Sequence, residues 1–437
     1  MRGRSCLLSI VGGVKNILSS ILFLYLIIDK TSVCQPIKSK KIQTMHNFSG
    51  RYLLLLLLFT MASVMMSITS PVHAQELYYP AHGENWEERP ANDLGFDAEM
   101  LDEAIQFAIE NENSVDRDLR IAILKAFSRE PYHEIGGPTK ERGGPAGMIL
   151  KDGYIAASWG DLNRVDMTFS VTKSYLSTVA GLAIDQNLIR SVDDRVNQYV
   201  WDRTFDGDHN SSITWEHLLN QSSDWYGTLF GIEDWGDRPA RGVGVDAMRF
   251  RELNEPGTYF KYNDVRVNLL AYSLLHVWRE PLPVVLRNEI MNPIGASTTW
   301  RWYGYDQSWT EIDGMKIQSV SGGGHNGGGM FINTLDQARF GLLFAREGNW
   351  GGEQLISNEW IEAARAPSEA NPNYGYMWWT LKGNADWGDV PDHLYYAAGF
   401  GGNYIVVDDE NDLVIVTRWL DSSLLGDFVE QIYSAIE

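Results

Sequence analysis

The sequence predicts an α/β (α+β) fold: an antiparallel sheet flanked by helices and completed by N- and C-terminal segments, with a mainly helical domain inserted between them. Three observations carry this. One hairpin signal lies in the first half of the chain, a second lies close to its end, and the stretch between them reads as largely helical.

Residues 1–74 are set aside as a leader. Residues 51–74 hold one positive charge, an apolar run and a Val72-His73-Ala74 end, the pattern of a signal peptide that starts near Met45 and is cleaved after Ala74. Residues 1–44 read as an upstream extension. Two membrane spans are the rival reading, but neither apolar run reaches the roughly 20 residues that a span requires. The expectation is therefore a periplasmic or secreted protein with no stable span once the signal is removed.

Residues 75–92 form a polar, proline-punctuated linker. Residues 96–112 then read as a helix, with Asp97 as its cap and Leu101, Ala104, Ile105 and Ala108 at helical spacing. Residues 130–147 are loop. Residues 148–150 and 154–159 flank an Asp152-Gly153 turn and make the first hairpin. Helices follow over 171–186, over 214–221 with Thr214 as cap, and over 264–277. The second hairpin pairs 404–407 with 413–418 across the acidic tip 408–412, and a last helix covers about 424–436. The domains implied are a sheet domain, 93–165 with 310–437, and a mainly helical domain, 166–309.

Charge narrows the function. The whole chain has 36 Lys and Arg against 57 Asp and Glu; the leader takes eight of those bases and one acid, so the remainder has 28 bases, 56 acids and a net charge of −28. Such a surface repels nucleic acid and anionic lipid. Both cysteines, Cys6 and Cys34, lie in the leader. The rest of the chain thus has no thiol nucleophile, disulfide or cysteine metal site. No cofactor motif stands out: Gly322–Gly327 fits G-x-G-x-x-G but lacks a surrounding βαβ unit, and close backbone packing near a cleft explains it better. Asp206-Gly207-Asp208-His209 reads as a solvated turn, not a metal loop. His325 and His393 are cleft candidates, each more often structural. Nothing in the sequence specifies an oligomeric state.

The motif that carries chemistry is Phe169-Ser170-Val171-Thr172-Lys173. Residues i and i+3 of a helix share a face, so Ser170 and Lys173 can meet, and the first turn favours negative charge on the serine oxygen. Apolar neighbours such as Met167, Leu176 and Val179 are expected to weaken the lysine's hold on its proton. With 21 serines and seven lysines beyond the leader, about half an S-x-x-K match arises by chance. A second segment, Pro256-Gly257-Thr258 through Tyr262-Asn263-Asp264, strengthens it by offering a phenol that could shuttle a proton.

These residues, with Ser321-Gly322-Gly323-Gly324 and Tyr374-Gly375-Tyr376-Met377-Trp378-Trp379, resemble the serine β-lactamase-like superfamily over residues 93–437. The similar branch includes class C β-lactamases, family VIII esterases, 6-aminohexanoate-oligomer hydrolases and penicillin-binding-protein relatives. The resemblance implies a β-lactamase/transpeptidase-like fold, Ser170 as nucleophile, and Lys173 with Tyr262 as the proton-transfer pair. It also implies an oxyanion hole from the backbone N–H groups of Ser170 and Phe400, the latter following Ala397-Ala398-Gly399. Two departures matter: Asp264 stands where the family usually has Asn, and Ala397 and Ala398 replace the element that holds a β-lactam carboxylate. They turn the expected substrate toward a small-molecule ester or simple amide. Trp201, Trp225, Trp235, Trp300, Trp302, Trp378 and Trp379 are expected near the cleft.

Overall fold

The computed structural model describes residues 77–83, 85–382 and 387–437. The leader and its cleavage point lie outside them. The main sheet has six antiparallel strands in the order Trp379–Thr380, Tyr395–Gly399, Asn403–Asp408, Leu413–Arg418, Ala146–Lys151 and Tyr154–Trp159. Both predicted hairpins are present, and they join side by side, with Met148 opposite Val416 and Ile405 on the other flank of Val416. Asp152 takes the left-handed conformation, φ 53°, that a tight two-residue turn requires.

Each face of this sheet is covered. Along the central strand, Val414 and Val416 pack with Tyr175, Val179, Phe340 and Leu343, whereas Leu413 and Ile415 pack with Leu101, Ile105, Phe428 and Ile432. The helices Thr172–Asp185 and Thr334–Ala345 therefore lie on one side, and Ala98–Glu110 and Leu425–Ser434 on the other. Two buried faces explain why the strand reads Leu-Val-Ile-Val instead of alternating with polar residues. Asp97 caps its helix as expected, accepting from the backbone N–H groups of Glu99 and Met100.

The Thr172–Asp185 helix is buried from Thr172 through Ala183. Its Tyr175 ring stacks on Phe340 at 3.9 Å between centroids. A second, four-stranded sheet is ordered Asp166–Met167, Gly329–Ile332, Arg301–Ile312 and Met315–Val320. The long strand Arg301–Ile312 crosses the boundary expected at residue 309, and its register breaks between Gly304 and Trp309. That break disrupts the period-2 pattern and hides the strand from sequence reading. The segment from 186 to 263 is mostly irregular, with short helices such as Trp215–Leu219, which Thr214 caps, and a small pair of strands, Thr228–Leu229 and Ile232–Glu233.

The acidic hairpin tip contains one buried member. Asp408 accepts from His393 Nε2 at 2.8 Å, from Asn411 Nδ2 at 2.7 Å and from the Tyr433 hydroxyl. Burial alone would push its carboxyl up, but the hydrogen bonds from His393, Tyr433 and Asn411 bring it down to about 2. The bond to Asp408 in turn raises His393. A lowered carboxyl stabilises the fold above its ordinary 3.8, and that contribution disappears as pH falls through about 2. A raised imidazole stabilises below its ordinary 6.5 and loses its contribution as pH rises through its folded value. Asp408→Asn is therefore expected to cost about 2 kcal/mol near pH 5. Thermal melts across pH should show its deficit narrowing toward pH 2 and toward the alkaline side. A pH-independent deficit would contradict this.

Candidate active site

Strand Asp166–Met167 leads into a single turn, Phe169–Val171, from which the Thr172–Asp185 helix departs. Phe169 adopts φ 49°, a left-handed conformation that costs a bulky side chain about 1–3 kcal/mol. Its ring is buried and meets Phe400 edge-on at 5.1 Å, so packing holds the turn that presents Ser170.

Lys173 Nζ donates to Ser170 Oγ at 2.8 Å and to Asp264 Oδ1 at 2.7 Å. The lysine side chain is 1% exposed. Its head is thus not in the apolar setting expected from the flanking residues; those neighbours pack the core, while the ammonium faces a carboxylate. Asp264 begins the helix Asp264–Trp278, whose Asn263 cap accepts from Arg266 N–H. The second oxygen of Asp264 accepts from Arg238 Nη1 at 2.7 Å, and the same nitrogen lies 2.7 Å from Asp237. Burial would raise the Asp264 carboxyl, but the charges of Lys173, Arg238 and His325 override it and hold the group well below the usual carboxylate range. Asp264 is ionised.

This ion pair requires a glycine beside it. A Cβ on Gly323 would stand 1.7 Å from Asp264 Oδ1 and 2.3 Å from Lys173 Nζ. The glycine-rich segment is therefore backbone packed against charged side chains, as expected.

Tyr262 joins the pair by its ring: Lys173 Nζ lies 4.6 Å and the Arg238 guanidinium carbon 5.1 Å from the ring centroid. Trp379 stacks against the same ring at 5.8 Å. Gly399 ends its strand against the Ser170 turn, where a Cβ would meet the Thr168 carbonyl oxygen at 2.2 Å. Ser170, Tyr262, Gly399 and Phe400 all line one cavity of about 640 Å³. Ala398 faces this cavity, while Ala397 is buried beneath it.

The cavity is walled by aromatics, but not by the set expected. Trp379 lines it, together with Trp387, Tyr396 and Phe127. Trp378, one residue away, is fully buried, as period-2 geometry requires, and Trp225 is core as well. Trp201 is 82% exposed. Trp300 and Trp302 border a different cavity. Trp235 lines a second lobe of about 550 Å³, which shares Arg238 and Tyr262 with the first. Sequence reading missed Arg238, Trp387 and Glu130, because all three come from irregular segments without periodicity.

The sequence profile of the beta-lactamase family matches residues 157–419. No curated protein matches the chain. Among solved structures, EstCE1, described as a hydrolase with promiscuous acyltransferase activity, superimposes with TM-score 0.51 at 16% identity, covering 77% of this chain and 98% of its own. A Bacteroides dorei DSM 17855 protein, provisionally described as a beta-lactamase, gives TM-score 0.50 at 16% identity over 74% of this chain and 100% of its own. At such identity these structures speak to the fold alone. The profile match spans more than half of the chain, and it contains the turn, the lysine, the acid and the glycine segment just described; the chain belongs to the beta-lactamase family of hydrolases.

Proposed function

We propose that this protein is an exported serine hydrolase that cleaves a carboxylic ester or simple amide through an acyl-enzyme at Ser170. The observation that carries the reading is the 2.8 Å contact between the Ser170 hydroxyl and a buried lysine amine on the wall of an aromatic cavity. Once Lys173 has given up its own proton, Ser170 Oγ attacks the substrate carbonyl and passes its proton to the lysine amine. The tetrahedral oxyanion is held by the backbone N–H groups of Ser170 and Phe400. Collapse expels the alcohol or amine, which takes that proton by way of the Tyr262 hydroxyl. Water then attacks the acyl carbon, the same pair accepts its proton and returns it to Ser170 Oγ as the acyl–oxygen bond breaks, and the carboxylic acid leaves. The apolar run and small-residue end of residues 51–74 support export.

An aromatic wall favours an apolar acyl or alcohol group. Ala398 at the place where relatives carry a carboxylate-binding side chain weighs against anionic β-lactams. A β-lactamase or D-alanyl-D-alanine carboxypeptidase is the second reading, favoured by the family itself. A non-catalytic penicillin-binding-like recognition module is the third, and the assembled Ser170–Lys173 pair weighs against it. A panel of p-nitrophenyl esters, linear amides and a chromogenic cephalosporin separates them. Ester or amide turnover exceeding that of the cephalosporin is expected. Fast cephalosporin hydrolysis with inert esters would reverse the order, and inertness toward all three would leave the recognition module.

A further inference from the structure

Asp264 connects Lys173 to a second buried cluster that the acyl-enzyme chemistry does not use. His325 Nε2 lies 2.6 Å from Glu130 Oε2 and 3.7 Å from Asp237 Oδ1, while its Nδ1 lies 3.6 Å from Asp264 Oδ2. All four side chains are at most 4% exposed. Among the described residues that Nδ1 has no hydrogen-bond partner. They surround a void of about 10 Å³, room for one water and for no substrate.

We infer that His325 is a positioning residue for Lys173: a buried imidazolium, held by Glu130 and Asp237, that draws the Asp264 carboxylate's charge away from the lysine and so lets Lys173 release the proton that serine chemistry requires. The inference rests on the Ser170–Lys173 reading above. Charge balance is its first support. Glu130, Asp237 and Asp264 bring three buried negative charges against two positive ones, Lys173 and Arg238, and an unmatched buried charge is costly. A proton on His325 makes the count even. Geometry is the second, since both ring nitrogens face carboxylates and the ring lies 3.9 Å from that of Phe127, a face that suits a cation. Burial alone would lower the imidazole, and Arg238 acts the same way, but Asp237, the Glu130 hydrogen bond and Asp264 raise it. The remaining titratable groups on the void, Tyr132 and Tyr305, stay neutral, burial pushing Tyr305 up to about 12.

The same three groups, Glu130, Asp237 and His325, offer ligand atoms within 4.8 Å of one another, a set that could hold a divalent cation. Arg238 already supplies positive charge to Asp237, and a doubly charged ion beside neutral His325 would leave the cluster with an excess positive charge. While Lys173 carries its proton and pairs with Asp264, one proton on His325 balances the cluster and a doubly charged ion does not.

The sign of the effect follows from Coulomb's law. Removing a positive charge near Lys173 makes the amine hold its proton more tightly, so a higher pH is needed to free it. Removing the negative charge of Asp264 does the reverse. The test is the pH profile of kcat/KM with an uncharged ester. His325→Gln is expected to move the acid limb up by about one pH unit, a loss of about tenfold along that limb that is recovered at high pH. Glu130→Gln should move it the same way by less, and it carries the test if His325→Gln does not fold. Asp264→Asn should move it down. An acid limb unmoved in a variant whose Ser170 still reacts fully with a fluorophosphonate would overturn the role of His325 while sparing the acyl-enzyme. Absence of that reaction in the wild type would sink the acyl-enzyme itself. One equivalent of bound divalent metal in the purified protein, with activity lost to chelation, would replace the proton by an ion.

Discussion

Ser170→Ala is expected to abolish labelling by a fluorophosphonate probe, and Lys173→Ala to lower kcat/KM by on the order of 10³-fold or more on any ester that the wild type turns over. The two effects have different physical origins. The serine substitution removes the atom proposed to bond to the acyl carbon. The lysine substitution leaves that atom in place but takes away the amine 2.8 Å from it, so the hydroxyl has no neighbouring group to receive its proton. Lys173→Ala also leaves Asp264 buried with one partner fewer, and breaking such a pair costs about 3–5 kcal/mol. Rates should therefore be referred to the folded fraction, followed by circular dichroism. A folded Lys173→Ala protein with near-normal turnover would show that another group is the base.

A single methyl group at Gly323 is expected to be almost as damaging. The Cβ of Gly323→Ala would fall 1.7 Å from Asp264 Oδ1 and 2.3 Å from Lys173 Nζ, so the ion pair and the added carbon cannot both keep their places. Displacing the pair moves Lys173 away from Ser170, and an error of about 1 Å at such a site costs on the order of 10²-fold in rate. The neighbouring Gly322→Ala makes a useful contrast. Its Cβ would crowd the ends of Val267 and Leu176, at 2.5 and 3.0 Å, with the Val267 carbonyl oxygen at an ordinary 3.5 Å, so it presses on apolar side chains and not on the ion pair. Gly323→Ala is expected to lose ester turnover far beyond its loss in thermal stability, and Gly322→Ala to lose the two in proportion. Equal behaviour of the two variants, measured by melts and steady-state rates, would remove the special place of the Lys173–Asp264 contact.

Much of this was legible in the sequence because it is local. The Asp152-Gly153 turn fixes one hairpin, the strands on both sides of 408–412 fix the other, and Ser170 with Lys173 is an i, i+3 pair that one helical turn brings together. Tyr262 suggests itself as a proton shuttle from its segment alone, but the place of Asp264 beside the pair is visible only through the resemblance, since 91 residues separate it from Lys173. Other parts left no periodic trace. The Thr334–Ala345 helix is buried all round, Asp336, Gln337 and Arg339 included, so it lacks an amphipathic pattern. The helix Leu119–Phe127 did carry a signal, in the Asp118 cap and the buried Leu119, Ala122 and Ile123, yet only the structure added it. Arg238 and Glu130 sit in irregular stretches, where neither spacing nor composition marks a residue that reaches a distant carboxylate. The flanking residues of Lys173 suggest an apolar setting and only the resemblance points to a charge from Asp264 beside it, because sequence neighbours describe the helix and not what faces its charged end.

The most direct measurement is the mass of the protein after reaction with a fluorophosphonate, followed by peptide mapping. A single adduct on the peptide containing Ser170 is the expected result, absent from Ser170→Ala and formed far more slowly in Lys173→Ala. An adduct on a different residue, or an unmodified Ser170 in a protein that still hydrolyses esters, would contradict the account.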